Sequence, residues 1–432
     1  MPRSSILPAD LWIACYLDLN GVKVEVRVER RDRLPMTSCL LVLPWHVRHT
    51  GGVDEVVKSL LQHLAASGEF NAVLLVTSLD CDATWDAAQS YSTLYELVPG
   101  PLEPPSRLRS LLSFLYRLPS RLLRLRKLLQ EIRVGVVNPH YPHLGMLHFS
   151  VLRALGLFNG GIVLSFHLSD AHEANSTRGL ERWLWRWLLS SADLIVTPTD
   201  DLYDPLLRVA PEIRPKLVTI NNGVDFALCS SRPQDFDRFP PELTGKPVVL
   251  SIGNLDQRKG HDVVMRALVE VRRERPAAGL VVLGAARPYL RDLERLRTDL
   301  GLDGAVFFFE NVPHEMLPCY LSRASLFALA TQRETFCLAL LEAGAAGLPI
   351  VSTQAPGVIE VIEDKVTGRL VPIGDVDALA KAILEVLDNP KEAEQRAARF
   401  RQEIHNRLTW DHHYQKYRTL YHRLLGHGVE ST

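Results

Sequence analysis

Glu334-Thr335-Phe336-Cys337-Leu338-Ala339-Leu340-Leu341-Glu342-Ala343-Gly344-Ala345-Ala346-Gly347-Leu348-Pro349-Ile350-Val351 follows an apolar run at 325–329 and ends inside another at 349–352. Between the two runs lie a loop, an apolar helix over 338–346, and a stop at Gly347 and Pro349. A strand, a helix and a strand in that order make a crossover unit. The apolar face of such a helix covers a parallel sheet, whose strands are buried on both sides. Two carboxylates mark the helix start, Glu334 in the loop and Glu342 on the second turn. Each carboxylate accepts from two hydroxyls, and the unpaired N–H groups of residues 336–338 suit a phosphate or a sugar oxygen. Solvated glutamates at a helix end are the plainer alternative, but they leave the apolar character of 338–346 unexplained.

The same rhythm extends outward in both directions. Upstream of the quoted stretch, strands are expected at 248–252, 280–283, 305–309 and 325–329, with helices at 260–273 and 289–299. Earlier in the chain, strands at 39–43, 72–77, 134–137, 162–166, 193–197 and 217–220 alternate with helices at 53–66, 107–130, 144–155 and 179–190. The expected fold class is therefore α/β, with two Rossmann-like doubly wound parallel-sheet domains. The expected boundaries are an N-terminal extension at 1–36, a first domain at 37–229, a proline-rich linker at 230–246, a second domain at 247–395, and C-terminal helices at 396–432 packing across both. The charge-dense segment 23–33 reads as part of the extension.

Bulk composition agrees with two cores. At 432 residues the chain exceeds the usual single domain, and 47% hydrophobic with 23% charged residues is ordinary globular composition. A net charge of −1 gives nucleic acid no electrostatic footing. The six cysteines are scattered without a CxxC pair and read as reduced, mostly buried thiols. No run approaches the roughly 18 apolar residues of a spanning helix, and the stretch 11–17 lacks a small-residue cleavage site, so a cytoplasmic location is expected.

Several turns fall at the carboxyl ends of the expected strands, the edge where doubly wound sheets bind ligands. Gly51-Gly52 precedes a helix and would let the backbone approach a phosphate, or would only cap that helix. No GxGxxG is present there, which argues against a nicotinamide or flavin cofactor. Phe166-His167-Leu168-Ser169-Asp170 places an imidazole at the same edge, with His140 and His143 nearby in sequence order. Asn222-Gly223-Val224-Asp225 reads as a turn with Gly223 at positive φ. In Gly253-Asn254-Leu255-Asp256-Gln257-Arg258-Lys259-Gly260, Lys259 stands beside a helix N-terminus. A second positive charge there is unfavourable unless an anion such as a diphosphate shares the site. A surface lysine after a turn is the alternative.

GG after the first strand, FHxSD, NGVD, GxLxxxKG and ExFxxxxxEAxAxGxPIV, in one order over roughly 38–425, resemble glycosyltransferase family 4, which has the GT-B fold. The resemblance implies a retaining, nucleotide-sugar-dependent enzyme whose donor lies between the domains, held mainly by the second. It implies ribose contacts for Glu342, donor-sugar hydroxyls for Glu334, and diphosphate for Lys259. The amides of Phe336, Cys337 and Leu338 would hold phosphate and sugar oxygens, Gly51 and Gly52 would allow close approach to the distal phosphate, and His167 would contact the transferring sugar. A UDP- or GDP-sugar donor and a saccharide or lipid-linked acceptor in cell-envelope or exopolysaccharide synthesis are implied, without a metal or other cofactor. Asp80-Cys81-Asp82 imitates a metal-binding DxD and reads instead as a solvated loop. Three departures stand out. Asn254 replaces the family's usual arginine, with Arg258 as a candidate substitute. Thr335 and Cys337 replace glycines and would crowd the sugar site. Glu310 stands where a glycine near the nucleobase is usual, either accepting from guanine or solvated.

Between 107 and 133, eight basic residues (Arg107, Arg109, Arg117, Arg121, Arg124, Arg126, Lys127 and Arg133) are interleaved with leucines, and Trp183, Trp185 and Trp187 follow on another helix. This pattern suits peripheral contact with an anionic inner leaflet, or a core helix with solvated arginines. Rival functions are a sugar-nucleotide 2-epimerase, which needs acid and base groups around the hexose, and a catalytically weakened nucleotide-sugar-binding protein.

Overall fold

Runs of valine, leucine and isoleucine too continuous to alternate with polar residues become the inner strands of two parallel sheets. The computed structural model describes residues 12–19, 22–29, 37–45, 51–76, 94–96, 108–233, 238–285 and 288–426. Asp80, Cys81, Asp82 and Arg107 lie outside them. A hairpin comes first, with β1 (Trp12–Leu19) antiparallel to β2 (Val22–Glu29). The segment expected to be only a charged extension alternates valine with lysine, glutamate and arginine in β2, which is strand periodicity.

The first sheet comprises β3 (Ser38–Leu43), β4 (Asn71–Val76), β5 (Leu94–Glu96), β6 (Val134–Pro139), β7 (Gly161–Ser165), β8 (Leu194–Thr197) and β9 (Leu217–Thr219). Its strand order is β5-β4-β3-β6-β7-β8-β9, parallel throughout. The second comprises β10 (Val248–Ile252), β11 (Gly279–Gly284), β12 (Val306–Glu310), β13 (Leu326–Leu329), β14 (Ile350–Thr353) and β15 (Arg369–Val371). Its order is β12-β11-β10-β13-β14-β15, also parallel. In each sheet the chain reverses its direction of winding beside the first strand. A crevice therefore opens beyond the carboxyl ends of β3 and β6, and of β10 and β13. The GT-B architecture follows from these two sheets facing each other across that crevice.

The sequence and the structure place the domain crossings differently. Val224, Phe226 and Cys229 pack in the second domain's core, so the chain leaves the first domain near Asn222 rather than at 229. The helix Pro390–Arg407 buries Phe400 and Ile404 in the second core. The last helix, Trp410–Leu424, returns to the first domain, where Tyr414, Tyr417 and Tyr421 lie on one face and join its core. Only this last helix packs on the first domain.

The two crossings touch. Val224 N–H donates to Leu408 O at 3.0 Å and Trp410 N–H to Val224 O at 3.3 Å. Gly223 is not at positive φ as the turn reading expects. Its reason is proximity, because a Cβ there would lie 2.4 Å from the Thr409 carbonyl carbon. Gly223→Ala should destabilise the chain by about 1–3 kcal/mol through backbone overpacking, read as a lowered midpoint in urea. An unchanged midpoint would mean that the two crossings separate freely.

Candidate functional site

The crevice between the sheets is a cleft of about 1550 Å³. Its first-domain wall is built from turns that follow strands. Gly51 and Gly52 open the helix Gly52–Ser67, and Trp45 Nε1–H donates to the buried Asp54 carboxylate on that helix's first turn at 2.9 Å. The helix N-terminus points across the cleft. A Cβ on Gly52 would lie 3.6 Å from Leu338 Cδ1, and Leu338 opens the helix Leu338–Ala345 of the other domain. Two helix N-termini, each with unpaired amides and a partial positive charge, thus meet over one space.

His167 lines the same cleft and is buried. Its loop is held by Asp170, whose carboxylate accepts from the N–H groups of His167 at 2.9 Å, Leu168 at 2.8 Å and Ala171 at 3.0 Å. Burial pushes the Asp170 carboxyl up to about 7, against those N–H bonds, which favour the charged form. Burial lowers the His167 imidazole to about 3, helped by His413. His167 is therefore a neutral imidazole at physiological pH. His140 packs against it, whereas His143 caps the next short helix through a bond from Gly145 N–H at 3.0 Å.

On the second-domain wall, β10 is followed by the tight turn Gln257–Lys259 and then Gly260, where a Cβ would lie 2.0 Å from Ala330 O. Only glycine lets the loops after β10 and β13 come this close. They bring Lys259 Nζ to 2.6 and 2.8 Å from the two oxygens of Glu334. Burial alone would lower the Lys259 pKa, but the Glu334 carboxylate outweighs it and holds the ammonium above the ordinary lysine value. Gly357, at φ +79°, allows the Glu334 main chain an equally close approach.

Glu342 also lines the cleft, and its Oε1 lies 2.9 Å from His314 Nε2. The hydrogen bond and charge of Glu342 push His314 up to about 9, so the pair is ionic at neutral pH. The sequence reading missed His314. It follows the carboxyl end of β12, the same edge rule that singles out His167.

The three departures resolve differently from the expectations. Thr335 does not simply crowd the cleft, because its hydroxyl donates to the His167 carbonyl and ties the two domains together. Cys337 sits at φ +46°, a left-handed position that favours glycine, immediately before the Leu338 helix and buried. Arg258 borders the cleft, but its guanidinium turns toward Asp256 at 3.3 Å and is largely exposed. Asn254 lines the cleft without a cationic side chain. Arg333, also missed, reaches across it to His172 Nε2 at 2.8 Å. Glu310 is exposed at the end of β12 and is not among the residues lining the cleft, whereas the following Asn311 and Val312 are. No group of three metal-ligating side chains occurs among the described residues.

Comparison with known proteins bears on this cleft. The model "Glycosyltransferase Family 4" matches residues 50–228 and "Glycosyl transferases group 1" matches 233–403. The chain belongs to the group 1, family 4 glycosyltransferases. This family member is 35% identical over 178 residues to a GDP-mannose-dependent alpha-(1-6)-phosphatidylinositol monomannoside mannosyltransferase of Mycolicibacterium smegmatis, covering 37% of this chain and 46% of that one. It is 29% identical over 259 residues to the putative colanic acid biosynthesis glycosyltransferase WcaL of Escherichia coli, covering 58% and 61%. The matches thus span about half the length of these curated relatives. Anabaena HepE, solved in complex with UDP, shares the fold with a TM-score of 0.73 at 17% identity, over 90% of this chain and all of that one.

The buried imidazoles give the glycosyltransferase a definite pH response. Burial holds His140 well below its ordinary value, His167 at about 3, and His261 and His413 at about 4. Each folded value lies below the unfolded value of about 6.5, so this stabilisation is present above pH 6.5 and lost as pH falls through the folded values. Asp170, raised, acts oppositely from about pH 4 to 7, one buried carboxyl against these four rings and the likewise lowered His143 and His148. His314 contributes stability below about 6.5 that disappears as pH rises through about 9. Calorimetry should therefore find a melting temperature that drops between pH 6.5 and 4. A profile that is flat or rises on acidification would contradict the burial of these rings.

Proposed function

We propose that this chain transfers a hexose, with retention of anomeric configuration, from a nucleoside-diphosphate sugar to a glycan or lipid-linked saccharide acceptor in envelope or exopolysaccharide synthesis. The observation that carries the reading is the meeting of two helix N-termini over one cleft with Lys259 beside it. That is an anion site with three sources of positive potential, suited to a diphosphate. The UDP bound by HepE and the GDP-mannose named for the mycobacterial relative support a nucleotide donor of this class.

In this reading Glu342 accepts from the ribose hydroxyls, with His314 holding the carboxylate in place. Lys259 exchanges Glu334 for the diphosphate, which frees Glu334 to accept from donor-sugar hydroxyls. The amides at Phe336, Cys337 and Leu338, with those at Gly51 and Gly52, hold phosphate oxygens. Transfer proceeds on one face of the sugar. The bond from the anomeric carbon to the phosphate oxygen breaks, the acceptor hydroxyl attacks from the same side, and its proton passes to the departing phosphate. Helix N-termini and Lys259 stabilise that leaving charge, so the reaction is proposed to proceed without a metal. Asn254, and an Arg258 turned to Asp256, favour the second reading of a weakened nucleotide-sugar-binding protein.

A panel of UDP-, GDP- and ADP-sugars, assayed for hydrolysis and transfer, separates transferase, epimerase and binding protein. Glu342→Ala removes hydrogen bonds to a charged group, each about 1.5–3 kcal/mol, and is expected to lower donor kcat/KM about tenfold or more. Unchanged kinetics would remove Glu342 from the donor site.

We further propose that the chain works at an anionic leaflet. No helix among the described residues is long and apolar enough to cross a membrane. Exposed Tyr116 and Leu123 lie on the helix Leu108–Glu131 with exposed Arg124 and Lys127. Leu180 and Trp183 are exposed on the helix Gly179–Ser191, where Trp187 lies 6.0 Å from Trp183. Trp185 is core, which removes it from the surface read in the sequence, while Arg182 and Arg186 bind Arg208 O and Glu212 at that surface. Flotation with phosphatidylserine vesicles at low salt should carry the protein upward, less so at high salt. Absence of flotation at low salt would end this proposal.

A further inference from the structure

Behind His167 runs a line of buried polar side chains to which the proposed transfer assigns no role. It begins at Tyr417, on the helix that returns from the second domain, whose hydroxyl lies 2.9 Å from Ser165 Oγ. Ser165 Oγ is 3.0 Å from Asn138 Oδ1, Asn138 Nδ2 is 3.1 Å from His140 Nε2, and His140 Nδ1 is 3.2 Å from His167 Nε2. All five side chains are buried.

Proton counting gives this line a direction. Among the described residues, Ser165 Oγ is the hydrogen-bond partner of the Tyr417 hydroxyl. Ser165 gives its one proton to Asn138 Oδ1, so Tyr417 donates to Ser165. The Asn138 amide donates from Nδ2 to Ser165 Oγ at 2.9 Å and turns its other N–H to His140 Nε2. That nitrogen must be a bare acceptor, so His140 carries its proton on Nδ1 and donates it to His167 Nε2. Burial keeps both rings neutral. Turning the Asn138 amide over would instead set Oδ1 against a His140 Nε2–H and give His167 the opposite tautomer, so the orientation of that amide decides the direction.

We infer that Asn138 and His140 are positioning residues which, with Ser165 and Tyr417 completing the line, hold His167 as its Nδ1–H tautomer, so that it offers the cleft one fixed donor. The substrate atom it would meet is an oxygen able to accept, a sugar hydroxyl or a phosphate oxygen. That use rests on the proposed donor site, whereas the tautomer does not.

The full chain labelled with 15N-histidine tests this through long-range 1H–15N couplings, with the His167 signals identified by their loss in His167→Gln. The wild type should give the Nδ1–H pattern. His140→Phe, which removes the donor, and Asn138→Leu, which removes the group that orients His140, should both shift His167 toward Nε2–H. In transfer assays each should lower kcat about tenfold while donor KM moves less than about threefold, a split that general loss of fold would not produce. An Nε2–H pattern in the wild type overturns the inference, and so does an unchanged pattern in whichever variants fold. If the chain transfers no sugar, the proposed function fails while the tautomer measurement on the free protein still decides this point.

Discussion

A lysine next to a helix N-terminus needs a negative partner, and in this protein the Lys259–Glu334 ion pair supplies it. The pair sits where the loops after β10 and β13 are drawn together by Gly260, and Glu334 is steadied from behind by Gly357. Much of the second-domain wall depends on it, since the same loops carry Thr335 to the His167 carbonyl and Arg333 to His172. A diphosphate arriving between the two helix N-termini would compete for Lys259 and release a carboxylate into the sugar side of the cleft. Binding and site assembly are then one event.

The domains are joined at a narrow crossing and linked again across the cleft. Gly223 runs against Thr409 and Trp410 with no room for a side chain, so both strands of the hinge pass through one point. From that point the helix Trp410–Leu424 plunges its tyrosines into the first core, and one of them, Tyr417, ends the polar line leading to His167. The element that tethers the domains thus also reaches the polar line behind the proposed site.

Much of the fold was legible because buried parallel strands read as uninterrupted apolar runs, and the two halves repeat the same rhythm. Glu334, Lys259, Gly52 and His167 were legible as positions after strand ends and Glu342 as one on the helix beyond, and the fold brings them to one cleft. What escaped was tertiary. His314 follows a strand end and Arg333 adjoins Glu334, but what gives them a role is a partner 28 and 161 residues away in sequence. Gly223 looked like a turn because crowding by Thr409 cannot be read locally. Glu310 was open between a base contact and a solvated side chain, and its exposure at the end of β12 fits the second. The line from Tyr417 to His167 joins residues from three parts of the chain, and Asn138 within it is unremarkable by sequence alone.

The central claim is that the facing helix N-termini and Lys259 form a diphosphate site. Titration calorimetry of UDP, GDP, UMP, GMP and the free nucleosides against wild type and Lys259→Ala tests it directly. The account predicts that a nucleoside diphosphate binds more tightly than its monophosphate, that the nucleoside binds weakest, and that Lys259→Ala removes most of the advantage of the second phosphate. Equal affinity for mono- and diphosphates, or a diphosphate advantage untouched by Lys259→Ala, would contradict it.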